Sequence, residues 1–291
     1  MRQSPRAKPR IITDALLRRW RLPEPESAGS KEARGRVVII AGAAEMPGAA
    51  ILASTAALRS GAGKARLAIG EAAALHVGAA VPELFVLSIA DGKRRGETLR
   101  GVVDSAEKAD AVLIGPGMRD TGAVEALLPK LLEIETLRAL VIDATALLPA
   151  IPLIRSASKL RGKMIITPHG GEMDAISGGE KDREEYARTF AAEFGTVVAL
   201  KGAETLICAP DGAAYLNKRG NVGLATAGSG DVLAGIVAGL CARGIDPVQA
   251  VVWAVSVHAR AGERLARRLG AIGYLAREIL DEIPSLTSGR F

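Results

Sequence analysis

The sequence predicts an α/β protein of three layers, with helices on both faces of a mostly parallel central sheet. Three observations point to this. Short uninterrupted runs of Val, Ile and Leu recur along the chain, as in strands buried on both faces; strands with one wet face alternate instead. Each run enters a glycine-rich turn and then a stretch with helical periodicity, the grammar of a parallel sheet with crossover helices. Aromatic residues make up 3% of the 291 residues and hydrophobic residues 48%. The core must therefore be filled by Ala, Val, Leu and Ile, which suits close helix-on-sheet layers.

The elements follow in order. Residues 36–41 read as a strand, which runs through the glycine turn 42–48 into a helix over 49–59. A second strand is expected at 64–69, followed by an Ala-rich helix from Glu71, and a third at 84–89. A fourth, 110–115, ends in Gly115-Pro-Gly117 and precedes a helix over 121–134. Residues 139–143, 163–167 and 196–200 repeat the strand pattern. After residue 200, two apolar runs flank Pro210-Asp211-Gly212, the signature of a β-hairpin. Helices are expected over 229–243 and 247–269. Residues 37–291 contain no linker or internal repeat and are expected to form one domain.

The formal charge of +6 lies entirely in residues 1–36, which hold ten basic and four acidic residues; the rest carries 28 of each sign. This segment, with Pro5, Pro9, Pro23 and Pro25, reads as a basic, partly disordered leader that frays at its start. A nucleic-acid-binding domain would carry its basic face on the folded body, so no nucleic-acid partner is expected. No apolar stretch follows the N-terminal charge, and none is long enough to span a membrane. A cytoplasmic location without a membrane partner is the expectation. Cys208 and Cys241 form no ligand framework and read as buried hydrophobes. With three histidines and no paired spacing, no His-based metal site is expected.

The chemistry concentrates in Gly223-Leu-Ala-Thr-Ala-Gly-Ser-Gly-Asp231 and the apolar helix that follows. Glycines let backbone N–H groups approach an anion, and the helix directs its positive end at the same place. Capping alone would explain Ser229 and Asp231, but not Gly228 and Gly230 on either side of the serine. Asp231, in the first helical turn, is placed to act as a general base on a substrate hydroxyl. Lys201-Gly202-Ala203-Glu204-Thr205, at a strand end, presents a cation beside bare backbone. His169, in Thr167-Pro-His-Gly-Gly-Glu172, lies at the carboxyl end of a strand, where ligands bind in open α/β sheets. Asp143, ending its strand, suits either a Mg²⁺–phosphate site or a plain hydrogen bond. His76 and His258 lie within helical patterns and read as structural. These residues predict an enzyme that uses ATP or ADP on a small molecule.

Thr-Pro-His-Gly-Gly-Glu-Met (167–173), Leu-Lys-Gly-Ala-Glu-Thr (200–205) and the run 220–235 together resemble the ADP/ATP-dependent NAD(P)H-hydrate dehydratases, which have the ribokinase-like fold. Pro47-Gly-Ala-Ala-Ile-Leu-Ala53 and Ile114-Gly-Pro-Gly117 fall in the matching order. The resemblance implies dehydration of the S epimer of NADHX or NADPHX to NADH or NADPH, driven by ADP or ATP with Mg²⁺. It assigns Ala49, Gly117, His169 and Asp231 to the hydrate, and Lys201 to Thr205 and Gly230 to the nucleotide; Gly228 and Ser229 complete that turn. It also implies a homotetramer and a separate NAD(P)HX epimerase as functional partner. The chain departs from the pattern at Thr145, where a second aspartate is usual, at Val222, where proline is common, and in its first glycine loop. Two other readings share the glycine turn: a vitamin-precursor kinase, which would accumulate a phosphorylated product, and a nucleotide-binding protein without turnover.

Overall fold

A computed structural model describes residues 8–24, 30–179 and 182–288. The chain opens with β1 (Arg10–Ile11) and α1 (Asp14–Arg19), then enters β2 (Arg36–Ile40), α2 (Pro47–Arg59), β3 (Lys64–Gly70), α3 (Glu71–Ala80) and β4 (Phe85–Ile89). Next come α4 (Arg95–Ala106), β5 (Ala111–Ile114), α5 (Thr121–Leu131), β6 (Ala139–Ile142) and α6 (Leu147–Ser156). β7 (Met164–Ile166), α7 (Gly170–Ser177), α8 (Arg183–Phe194) and β8 (Thr196–Leu200) lead to the hairpin β9 (Thr205–Cys208) and β10 (Ala214–Asn217). The chain closes with α9 (Ser229–Ala242), α10 (Pro247–Leu269) and α11 (Ala276–Thr287).

The ten strands form one sheet in the order β1-β10-β9-β8-β7-β6-β5-β2-β3-β4. Only β9 runs against its neighbours among the described strands; every other pairing is parallel. The two faces are read from alternate residues of one strand. Val37 and Ile39 of β2 join α2, α3, α9, α10 and α11 in one core, while Val38 and Ile40 join α4 to α8 in the other. This is the expected three-layer arrangement.

The order of strands reverses between β2 and β5: from β2 the chain moves outward through β3 and β4, and from β5 it moves the other way. Loops that leave such a switch point diverge and open a crevice at the carboxyl edge of the sheet. Here the two loops meet at its floor, where Gly42 N–H donates to the Pro116 carbonyl at 2.7 Å.

Within the basic leader, residues 8–24 are part of the fold, which corrects the boundary expected at residue 36. β1 pairs with β10, and Thr13 caps α1. Leu17 is fully buried. Trp253 Nε1 donates to the Trp20 carbonyl at 2.6 Å, and Arg243 donates to the Pro23 carbonyl at 2.9 Å. Asp14, one of the leader's few acidic residues, faces Arg260 and Arg219 of the body. The expected fraying falls on residues 1–7, outside the described residues.

α9 reaches the crevice because it packs on α2 backbone to backbone. A Cβ added at Gly235 would collide with the Ala53 carbonyl, and one at Gly239 would lie 2.5 Å from the Ala57 carbonyl. Small residues at this spacing let the two helices approach closely enough to place their N-termini side by side.

Candidate active site

Asp143, Lys201 and Asp231 meet at the carboxyl edge of the sheet. Lys201 ends β8, and its backbone N–H donates to the Pro168 carbonyl at 2.8 Å, so the turns 167–169 and 200–202 run as a parallel pair with His169 opposite Lys201. Lys201 Nζ reaches Asp143 Oδ1 at 2.9 Å and lies 4.0 Å from Glu172 Oε2. Thr167 Oγ1 donates to the same Asp143 oxygen at 2.7 Å. Asp143 is 2% exposed, so its charge is held by these two donors rather than by water.

Asp231 lies in the first turn of α9, one residue after Gly230, whose added Cβ would lie 3.6 Å from Lys201 Nζ. Burial pushes the Asp231 carboxyl up to about 6; the nearby Asp143 carboxylate adds to the rise and Lys201 opposes it. A carboxylate titrating near neutrality is suited to taking a proton. Gly228, the N-cap, has φ +87°, and a Cβ there would collide with Leu52 of α2. The turn thus needs glycine twice over, for conformation and for approach. Ser229 N–H is taken by the Thr226 carbonyl. The N–H groups of Gly230 and Asp231, in the first helical turn, lack partners in the helix ladder and are the donors left for an anion.

Gly117 and Ala49, two of the four residues that the resemblance assigns to the hydrate, meet on the other side of the crevice. Gly117 has φ +62°, and a Cβ there would strike Ala49 Cβ while lying 3.3 Å from the Met46 carbonyl. Ala49 is buried in the first turn of α2. The two sides are linked through Asp143, whose backbone carbonyl lies against Gly115. Beside these loops is a cavity of about 360 Å³, with Gly42, Glu45, Gly70, Met118 and Arg119 in its wall.

His169 caps α7. Its Nδ1 accepts from Glu172 N–H at 3.2 Å, and Glu172 Oε2 accepts from His169 N–H at 2.7 Å. This reciprocal cap leaves the imidazole 60% exposed toward the site. Gly202 and Ala203 present exposed backbone. The Glu204 side chain turns to Lys218, 3.6 Å away, so the stretch from Lys201 to Thr205 offers its backbone and one cation rather than a carboxylate.

The residues expected from the sequence therefore fall on one edge. Thr167 and Glu172 join them without having been given a role, and His258, which its helical pattern marked as structural, reaches the turn through Ser229. Glu172 had a visible signal, three residues after the cap. Thr167 and His258 had none, because their partners are 24 and 29 residues away. Thr145, where the sequence departs from the family pattern, donates its hydroxyl to the Met118 carbonyl at 2.7 Å. It follows Ala144, the one non-glycine residue with positive φ (49°) among those described. No cluster of three His, Cys, Asp or Glu side chains suited to a metal occurs among the described residues. That donor set fits Mg²⁺ carried on nucleotide phosphates, which needs only one or two carboxylates. Asp143 and Asp231 are the two near the turn.

Comparison with known proteins gives one answer. Residues 37–285 match the family model described as NAD(P)H-hydrate dehydratase. The ADP-dependent (S)-NAD(P)H-hydrate dehydratase of Xanthomonas campestris is 44% identical, across 95% of this chain and 96% of its own. The Bacillus subtilis ADP/ATP-dependent NAD(P)H-hydrate dehydratase, co-crystallised with ATP and Mg²⁺, superposes with a TM-score of 0.78 at 31% identity, covering 96% of this chain and 98% of that one. A ribokinase-like superfamily protein from Enterococcus faecalis superposes with a TM-score of 0.84 at 27% identity, covering 96% and 95%. The loops, the lysine and the buried aspartate are thus set on a ribokinase-like fold, and the chain belongs to the NAD(P)H-hydrate dehydratase family.

Proposed function

We propose that this protein dehydrates the S epimer of hydrated NADH or NADPH at the expense of ADP or ATP, restoring the reduced cofactor. The observation that carries the reading is Asp231, tuned to about 6 one residue from the open amides of the phosphate turn. Asp231 takes the proton of the C6 hydroxyl as that oxygen attacks the terminal phosphoryl group, releasing AMP from ADP or ADP from ATP. Gly228 to Gly230, the α9 N-terminus and Lys201 stabilise charge on the transferred group. Asp143 and Asp231 are the carboxylates that would hold a nucleotide-borne Mg²⁺, which would supply further neutralisation of phosphate charge. The ring nitrogen's lone pair then expels phosphate from C6, and loss of a C5 proton restores the ring double bond.

In this reading Ala49, Gly117 and His169 contact the hydrated ring. Residues 201–205 hold the nucleotide, and the cavity beside Met118 leaves room for more of the dinucleotide. Phosphoryl transfer to a substrate hydroxyl is the step that ribokinase-like kinases also perform; here the ester carries its own means of departure. We place the activity in the cytoplasm, in a homotetramer, served by a separate epimerase that interconverts the two hydrate epimers. No described helix is long and apolar enough to cross a membrane.

The test combines purified protein, NADHX and Mg²⁺ with ADP or ATP in parallel and follows NADH absorbance. Recovery with stoichiometric phosphate release is expected. A stable phosphorylated product without NADH would overturn the assignment in favour of a kinase.

A further inference from the structure

His258 lies in the middle of α10, yet its ring reaches the phosphate turn. Nε2 lies 2.9 Å from Ser229 Oγ and 3.1 Å from the Ser229 carbonyl oxygen. The two contacts together constrain the ring. A carbonyl oxygen can only accept, so the 3.1 Å contact is favourable only when Nε2 carries a hydrogen; an Nε2 lone pair would face a carbonyl lone pair. With Nε2–H shared between the two serine oxygens, the hydroxyl accepts and its own proton remains available. Ser229 itself is 4% exposed, and its N–H is held by the Thr226 carbonyl. The imidazole therefore completes a set of bonds that leaves this serine little freedom. The next two residues are Gly230 and Asp231.

We propose that His258 is a positioning residue of the phosphate turn, using Nε2–H to fix Ser229 and thereby the amides and carboxylate that follow it. This rests on the reading of that turn as the phosphoryl-transfer site. Burial lowers the imidazole to about 4, with the Lys201 charge adding to the fall and the bond to the Ser229 carbonyl opposing it, so Nδ1 keeps its lone pair at neutral pH. The ring is a fixed dipole rather than a second cation beside Lys201. Its partner residue is 29 positions away, on the neighbouring helix, so α10 takes part in catalysis without touching the substrate.

The test compares His258→Gln, which keeps an N–H donor at similar reach, with His258→Leu, which removes it. His258→Leu should lower kcat about tenfold to a hundredfold, as displacement of a reacting group does, with little change in KM for NADHX. His258→Gln should recover most of that loss. Equal kcat in the two variants, whatever their melting temperatures, would overturn the proposal. So would a ¹⁵N spectrum of the wild-type protein placing the hydrogen on Nδ1. ADP titration separates this idea from the functional assignment. If wild-type protein bound ADP but returned no NADH, the assignment would fail, and weaker ADP binding by the Leu than by the Gln variant would still support the clamp.

Discussion

The two walls of the crevice are built on opposite principles. The wall proposed for the nucleotide is made of charge: Lys201, Asp143, Thr167 and Glu172 hold one another at distances of 2.7–4.0 Å, and the helix N-terminus adds its dipole. The wall proposed for the hydrate is made of absent side chains: Gly42, Ala49 and Gly117 let two loops and a helix start lie in contact. The first wall can recognise phosphate through many arrangements of donors, and salt or mutation would weaken it by degrees. The second has no side chain to give way, so a single methyl group added at Gly117 would strike Ala49. Asp231 stands where the walls meet and belongs to both.

The comparison predicts graded responses. Replacing Asp231 strikes the junction: Asp231→Asn should lower kcat by roughly 10²–10⁴, the range for loss of a general base, and leave ADP affinity unchanged by calorimetry. The same variant should melt a few degrees higher at pH 7. Because the folded pKa is raised above the ordinary carboxylate value, the group favours folding below about 3.8 and that benefit is lost as pH rises through about 6. An amide has no charge to desolvate.

Lys201→Met breaks the charged wall. It leaves the buried Asp143 with Thr167 as its remaining side-chain donor among the described residues, and should cost about 3 kcal/mol of stability, the lower end for removing one partner of a buried pair, along with at least tenfold in nucleotide affinity. Adding Asp143→Asn should restore much of the stability and none of the binding, read by denaturant unfolding and ADP titration. Equal recovery of both would make the lysine structural.

Gly117→Ala attacks the other wall. Its left-handed φ and the Ala49 contact should cost about 1–3 kcal/mol in strain and raise KM for NADHX about tenfold, with ADP affinity intact. If ADP affinity fell in parallel, the two walls would not be separable.

The mildest effect is that of pH. Asp231 must be ionised to accept the hydroxyl proton, so activity should fall as pH drops through its value, to about half the plateau near pH 6. In Asp231→Glu, the residual activity should follow a shifted limb.

Much of this architecture was legible because parallel strands bury both faces and write themselves as apolar runs; β8 was expected at 196–200 and is found there. Helices were harder where composition works against the pattern. α6 contains Pro149 and Pro152, α11 contains Pro284, and α8 is half polar. β1 is two residues long and has no periodicity to read. In the site, Asp231 and Lys201 were visible because their chemistry is contiguous with glycine in the sequence. The Thr167–Asp143 bond and the His258–Ser229 contact arise only when separate elements converge.

The placement of β1 at the sheet edge has a consequence for how the molecule is made. Ile12 N–H donates to Leu216, Trp253 Nε1 to Trp20, and Arg260 to Asp14, the last pair 246 residues apart. Synthesis runs from the N-terminus, so residues 10–20 leave the ribosome long before the hairpin and α10 that receive them. Such distant contacts are slow to form. The segment can dock only after β10 and α10 have been made. Protection of the Trp253 indole from solvent would report when that docking occurs.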